Sequence, residues 1–543
     1  MKIIGASVGD CVHVQGVYNF LQEAEEAGHE IKFLGPAVSV DQLVEAIREE
    51  SPDAVAVSYR LTPENAELTL SELKSKTESA GIQGIDYLFG GTPPVAEVAK
   101  RLGIFSLVCD GSNQDDVELY ISKRKRSDIL KSVPPQDIRQ RIDWRLPSPV
   151  LRTHFGLPDI SRTVEGIGQI AESGLIDVIS LGTDQDAQAN FFHPERQNAS
   201  SKGAGGVPVR IPEDFRRLFA ATRKGNFPLM RTYAGTDDII RLAEMYEDAF
   251  GNAWSAVPIF WFNAMDGRGP HTLEESIGEH LKLIRWNAER NIPVEILEAH
   301  HWAMRWAHDS LVVASACLGA EIAKGCGVKE YIHQYMFNVP PGSSFANELA
   351  KMLATKELIE GMAGENFRVY TQTRTGLPSF PNNLEEARAQ LANSTMLQMQ
   401  LSPDIVHVVS YSEAHHAATP EDVINSARIV AHTIKNCYLA PDMNHDKAVE
   451  YRKQELLVEA SALLRRIRDN GDIMDPGYLN SLVASGVLDA PMLKNNPFAK
   501  GRVKTAFLGG SCYAVNENGR IMRESERTGE IYRRISRTGG MGR

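Results

Sequence analysis

The feature that most constrains this chain is an alternation of short apolar runs with longer helical stretches, carried through most of its length. Apolar runs of roughly four to eight residues that end in turn residues read as strands buried on both faces. Strands of that kind, separated by amphipathic helices, build a parallel sheet with helices packed over it.

The alternation falls into two blocks. In residues 1–126 the runs are "KIIGASV", "EIKFLG", "DAVAVSY", "DYLFGG" and "FSLVCDG". Val17, Phe20, Leu21, Ala24 and Ala27 share one helical face, and further helices are expected over 41–50, 63–80 and 94–102. Five such units predict a flavodoxin-like (Rossmann-like) domain, whose ligands sit at the carboxyl ends of the strands. Residues 127–148 are polar, carry Pro134, Pro135 and Pro147, and read as a linker. Eight strands are then expected at 149–155, 178–184, 227–234, 257–263, 294–301, 330–337, 368–374 and 405–412, which predicts a TIM (β/α)8 barrel over 149–440. The Gly/Ser-rich insert "QANFFHPERQNASSKGAGG" is expected to form a loop over one barrel face. Residues 441–543 read as a helical extension ending in an exposed basic tail, "RESERTGEIYRRISRTGGMGR".

Composition excludes several classes. With 543 residues, 43% hydrophobic and 24% charged, the chain can bury more than one core. A formal net charge of −12 argues against a binder driven by nucleic-acid phosphates. The basic run "KRKR" at 123–126 stands alone and reads as a solvated helix end or linker. Six cysteines without a CxxC pair suggest neither a disulfide framework nor a zinc knuckle, which fits a reducing cytoplasm. "MKIIGASVGD" is too short an apolar run for a signal peptide, and no run reaches membrane-spanning length. "KTAFLGGS" has a glycine pair but lacks the strand–GxGxxG–helix context of a nucleotide site.

Three loops stand at strand ends of the first block: "GDCVHVQG", "SYRLTPEN" and "FGGTPP". The Gly90–Gly91 pair lets a backbone approach a flat ligand closely. On the residues alone, His13 reads as a hydrogen-bonded turn histidine, a proton-transfer group or a metal ligand. As a set, however, the loops resemble the cobalamin-binding small subunit of glutamate mutase (methylaspartate mutase). Asp10, Cys11, His13 and Gly16 resemble that family's Asp-x-His-x-x-Gly loop with one residue inserted. Ser58 matches its serine loop, although Arg60 falls where a leucine is usual. Gly90, Gly91 and Thr92 match its third loop, and "CDGSNQD" around Gly111 resembles the turn after the fifth strand. The resemblance implies that His13 is the lower ligand of cobalt, with an acid on its other ring nitrogen fixing the tautomer. It also implies that the displaced nucleotide tail threads beside Ser58 and Gly90.

In the second block, the expected strand ends carry Arg152, Asp184, Arg231, Asn263, Glu298, His300, His301, Gln334, Arg374 and Glu413. Together they describe a polar, charge-bearing pocket, and paired arginines favour a carboxylate. His300–His301 and His415–His416 are adjacent pairs. On a strand, adjacent side chains point to opposite faces, so neither pair is expected to chelate a metal. This block more faintly resembles the large, catalytic subunit of glutamate mutase, to about residue 515. The likeness is carried by "RTHFGLPD" at Arg152, "RTYAGTDD" at Arg231, "SYSEAHHAATPEDVINSARI" at Glu413, and "GVLDAP". It implies that Arg152 and Arg231 hold a substrate carboxylate and that Glu413 binds the adenosyl ribose of the cofactor. The departures are specific. No arginine stands near Ala189–Asn190, no glutamate near Ser255–Ala256 and no lysine near Val409, and the family's "NEGGG" stretch has become "AWSAVPIFWFN". Trp254, Phe260, Trp261 and Phe262 read either as a more apolar site or as barrel core.

Taken together, the resemblance implies an adenosylcobalamin-dependent carbon-skeleton mutase. Its cofactor would lie between the first domain's loops and the barrel mouth, and its substrate would be carboxylate-bearing and amino-acid-like, with glutamate itself in question. The family pairs its barrels, which implies a homodimer; no nucleic-acid or membrane partner is expected. A corrinoid methyltransferase and a non-catalytic cobalamin carrier or sensor are the alternatives.

Overall fold

The computed structural model describes residues 1–111, 114–121, 133–438 and 442–537. The "KRKR" run lies outside them, as does the end of the tail beyond 537. The chain divides into two compact units, 1–132 and 133–543.

The first unit is a five-stranded parallel sheet: β1 (Lys2–Val8), β2 (Glu30–Val38), β3 (Ala54–Tyr59), β4 (Asp86–Gly91) and β5 (Leu107–Cys109). The strand order is β2-β1-β3-β4-β5, the flavodoxin-like order. Every residue of β3 is buried, as expected for a strand covered on both faces. Ser39 starts the helix after β2 with a reciprocal capping box, and Thr62 starts the helix after β3 by accepting the Asn65 N–H, with Pro63 in the first turn. Those caps bring each chain crossing promptly back over the sheet, so the three loops gather at one edge.

The second unit is built on eight parallel strands: β6 (Val150–Phe155), β7 (Val178–Leu181), β8 (Leu229–Arg231), β9 (Ser255–Val257), β10 (Val294–Ile296), β11 (Glu330–Phe337), β12 (Arg368–Thr375) and β13 (Ile405–Val408). They pair in the order β8-β7-β6-β13-β12-β11-β10-β9, and a single bridge between Tyr233 and Ala256 nearly closes the barrel. All eight expected strands are present, but the fourth is displaced and the second, third, fifth and eighth are shorter than expected. The fourth lies at Ser255–Val257 rather than 257–263, because "PIFWFN" leaves the barrel and folds as a loop. The fifth stops at Ile296, and His300 and His301 fall on a short helix, Ala299–Ala303. The opposite-face argument made for a strand therefore does not apply to that pair.

Residues 133–148 are not a linker. Asp137 caps a helix, Ile138–Arg145, whose Ile138 and Ile142 pack with Val150, Val178, Leu229, Trp254, Ile332, Tyr370 and Ile405 at the amino-terminal end of the barrel. Burying two isoleucines is worth about 3–6 kcal/mol. Arg141 is fully buried there, donating to Asp177 Oδ1 at 3.2 Å and to the carbonyls of Pro135 and Phe227. The proline-rich composition misled because proline marks turns but says nothing about the apolar stripe between them.

The carboxyl-terminal region is likewise anchored. A long helix, Lys447–Asn470, buries Leu456, Leu463, Leu464 and Ile467 in the main barrel core. The hairpin β14 (Lys504–Leu508) and β15 (Ser511–Val515) turns at Gly509–Gly510, both at positive φ, which is the use of that glycine pair. The supposed exposed tail forms a helix, Glu524–Arg537, whose buried Glu524 takes hydrogen bonds from His308, Ser310 and Arg527. Among the described residues no helix is long and apolar enough to cross a membrane.

Candidate functional site

The first unit carries a slot of about 420 Å³ at the carboxyl edge of its sheet. Its walls are apolar: Val17 and Phe20 from the first helix face Ala56, Val57, Leu88, Phe89 and Leu107. His13, Gly16, Ser58, Gly90, Gly91, Thr92 and Gly111 all line it, so the sequence reading brought together residues that are neighbours in space. His13 is exposed at the loop before the first helix. Ser58 is buried and donates to the His13 carbonyl at 3.3 Å, tying the two loops together. A side chain on Gly90 would meet no atom within 4 Å, so this strand end leaves open space. Gly91 differs, since a Cβ there would press on the Phe89 ring and the Tyr59 carbonyl, both at 2.8 Å.

Asp10 does not line the slot and does not bond His13. The Tyr59 hydroxyl donates to it at 2.8 Å. Instead the buried Cys11 thiol lies 3.7 Å from His13 Nδ1, and Cys11 Sγ also accepts the Arg60 N–H at 3.3 Å. The inserted residue explains the exchange: Asp10 is three residues from His13 rather than two, and the intervening cysteine turns toward the ring. Thus His13 Nδ1 has a partner within the loop, and Nε2 is the nitrogen available to a ligand. An exposed imidazole lining a partly apolar slot, with the small residues Ser58, Gly90 and Gly91 on the same wall, fits a metal-bearing ligand whose tail enters the slot.

Family comparison addresses this unit. Residues 1–110 match the family profile described as B12 binding domain. The N-terminal unit is a B12-binding domain. Three solved structures are similar to the chain. A cobalamin-binding protein from Desulfitobacterium hafniense DCB-2 shares 28% identity over 22% of this chain and 56% of its own, at a TM-score of 0.20. A GH138 enzyme targeting pectin rhamnogalacturonan II shares 9% identity, covering 90% of this chain and 57% of its own, at a TM-score of 0.31. The cobalamin-dependent S-adenosylmethionine radical enzyme OxsB shares 12% identity, covering 86% of this chain and 68% of its own, at a TM-score of 0.17. This chain thus spans little more than half the length of the first two.

The barrel that follows the B12-binding domain has an unusually polar interior. Barrel centres are commonly filled by Val, Ile and Leu. Here Glu295 from β10 sits among guanidinium groups. Arg231 donates to Glu295 Oε2 at 2.9 Å, the Trp254 indole donates to the same oxygen at 2.6 Å, and Arg152 NH1 lies 3.6 Å from it. Arg152 also donates to Ser180 Oγ at 2.7 Å and to Gln372 Oε1 at 2.8 Å. Burial works to raise the Glu295 carboxyl, but Arg231 and Arg152 outweigh it and hold it at about 2. The two arginines expected to grip substrate are therefore turned inward on a carboxylate of the protein itself, and neither lines the cavity at the mouth. Nε and NH1 of Arg231 have no hydrogen-bond partner among the described residues, but they lie in the barrel interior away from that cavity.

The mouth holds a cavity of about 680 Å³. His300, His301, Gln334 and Arg374 line it, as do Tyr233, Phe262, Leu297, Met304, Met336 and Leu377. Asn190, Arg196, Asn198 and Ser201 line it too, so the insert between β7 and β8 does fold over this face. Burial pushes the His300 ring down to about 3, with Arg374 adding to the shift, so it is a neutral imidazole at ordinary pH. The remaining strand-end residues have other duties. Asp184 caps the helix Gln185–Ala189 and pairs with Arg210, and Asn263 accepts the Met265 N–H while its amide donates to the Phe260 carbonyl. Glu298 accepts the N–H groups of Ile259 and Phe260, and burial pushes its carboxyl up to about 8. Glu413 is exposed in the loop after β13. Trp254, Phe260 and Trp261 are fully buried core, and Phe262 alone of the four aromatics reaches the cavity.

Glu295 was not singled out from the sequence, yet its signal was present. An acid between Val294 and Ile296, within a run otherwise apolar, must be paired if the run is a buried strand.

Proposed function

We propose that the chain is an adenosylcobalamin-dependent carbon-skeleton mutase acting on a carboxylate-bearing small molecule. What carries the reading is the pairing, in one polypeptide, of a B12-binding domain with an exposed His13 at its slot and a barrel whose mouth cavity contains a buried guanidinium. Segment likenesses to both glutamate mutase subunits, around Asp10–Gly16 and around Glu413, point the same way.

When bound, the cofactor supplies radical chemistry, which side chains alone cannot. The protein's part is binding and exclusion. His13 Nε2 would ligate the cobalt, with Cys11 facing Nδ1. Ser58, Gly90, Gly91, Thr92 and Gly111 hold the tail of the cofactor, the small residues leaving it room. Arg374 orients the substrate carboxylate, taking the place that Arg152 and Arg231 cannot fill. Tyr233, Phe262 and Met336 keep water from the reacting centre. The likeness of the segment around Glu413 would give that residue the adenosyl ribose.

Titration with adenosylcobalamin should give the spectrum of a histidine-ligated, benzimidazole-off corrinoid, and His13→Ala should abolish it. Loss of tritium from the labelled adenosyl group into a bound substrate would establish the mutase chemistry. A histidine-ligated spectrum without such exchange, across small carboxylic acids, would leave a carrier instead.

A further inference from the structure

The barrel cavity contains a guanidinium with no carboxylate at ion-pair distance among the described residues, Glu413 and Glu295 acting on it only from farther off. Arg374 is 7% exposed and lines the cavity. Its Nε donates to the Thr375 carbonyl at 3.3 Å, and among the described residues no carboxylate forms an ion pair with it. Beside it, His301 is 5% exposed, lines the same cavity, and has both ring nitrogens unpartnered. Its ring packs on His300 at 4.3 Å and against Trp261 and Phe262. Buried donors without acceptors cost free energy unless a ligand completes them.

The acids of the cavity wall are already engaged. Asp186 accepts from the Asn190 side chain and the Asn198 N–H, with Arg210 at 3.7 Å. Asp237 is held by His271 at 3.0 Å and lies 3.7 Å from Arg196. Arg268, the other cation near the mouth, pairs with Asp266 and stacks over Phe262. Deeper in, Arg152 and Arg231 face Glu295, and neither lines the cavity, although Nε and NH1 of Arg231 have no partner among the described residues. Among the described residues the cavity wall therefore offers one guanidinium, Arg374, with no carboxylate in ion-pair reach; Arg196 is shared at 3.7–3.8 Å with Asp237 and Glu195, and both acids of the wall, Asp186 and Asp237, are paired. Tyr233, Phe262, Leu297, Met304, Met336 and Leu377 form an apolar part of the wall, beside the neutral polar side chains of Gln334, Gln188 and His300.

We infer that the barrel binds a monocarboxylic acid with an apolar body, held by Arg374 and His301, rather than a dicarboxylate or an amino acid. The inference rests on the mutase reading for its biological use but not for its test. A neutral His301 presents one N–H to the carboxylate while the guanidinium fork takes both oxygens.

The test is calorimetric titration of the full-length chain with 4-methylpentanoate, 3-phenylpropanoate, 3-phenylpropanamide, glutarate and L-glutamate. At least one monocarboxylate should bind, and the amide, glutarate and glutamate should bind at least about tenfold more weakly, as expected for loss of a charge-assisted pair or burial of an unpaired charge. Arg374→Gln should weaken the acid by a similar factor, and Arg374→Lys should recover part of it. Equal or tighter binding of a dicarboxylate or glutamate, an amide as good as the acid, or no binding of either monocarboxylate would overturn the inference. The comparison among ligands needs no variant, so it stands even if Arg374→Gln misfolds. Because binding is read without turnover, its failure leaves the mutase reading intact. Conversely, absence of adenosyl exchange with a bound monocarboxylate would break the mutase reading alone.

Discussion

The slot of the B12-binding domain and the interior of the barrel treat polar groups in opposite ways. In the slot the important one, His13, stands exposed on a loop with the Cys11 sulfur as its neighbour. In the barrel they are many, fully buried, and close on one another through Glu295. A loop ligand can be replaced with little effect on the fold. A charge enclosed by other charges cannot, because its removal leaves its partners without compensation in a medium that solvates them poorly. The contrast separates residues that serve a ligand from residues that serve the scaffold holding it.

Removing Glu295 should therefore produce the largest loss of stability. Glu295→Gln leaves two buried guanidinium groups without a counter-ion and should cost about 3–5 kcal/mol in urea unfolding. His13→Ala in the same assay should leave the midpoint unchanged. If the two variants unfolded alike, the contrast between the regions would not hold.

Glu298 gives a pH-dependent version of the same idea. Its folded carboxyl stands at about 8 against an ordinary 4.5, because burial disfavours the charge. The folded state then keeps a proton that the unfolded state releases, so this group costs nothing below pH 4.5 and increasingly destabilises the fold as pH rises toward 8. Glu298→Gln should flatten that slope and be the more stable protein at pH 8, by an amount on the order of a few kcal/mol. A parallel pH profile for the two proteins would show that Glu298 is charged in the fold.

The adjacent glycines of the slot offer the smallest and most selective test. Gly91→Ala should destabilise by about 1–3 kcal/mol, since its Cβ meets a backbone carbonyl and a ring. Gly90→Ala should change the unfolding midpoint by no more than about 0.5 kcal/mol, yet weaken cobalamin binding by filling the slot. Equal cobalamin affinity for Gly90→Ala and the parent would move the tail-binding path away from this strand end.

Strand existence was legible throughout, because a strand covered on both faces must be apolar and short. β1, β3 and β7 follow that rule closely, whereas the edge strand β2 is largely uncovered and β12 is polar along much of its length. The slot was legible too. Its residues lie in loops directly after strands, and a parallel sheet brings such loops to one edge whatever the details of packing. The helix Ile138–Arg145 was missed because prolines on either side masked a brief apolar stripe.

The barrel cavity was legible only as an inventory. Arg152, Arg231 and Arg374 read alike in sequence, each near the end of an expected strand. Which of them is free depends on Glu295, which lies 64 residues from Arg231 in sequence and 2.9 Å from it in space. The sequence by itself determined the two parallel architectures and the loop cluster at His13, since both follow from local periodicity and strand-end position. Only the tertiary structure decided which guanidinium faces a cavity, because charge pairing in a barrel is set by contacts between strands distant along the chain.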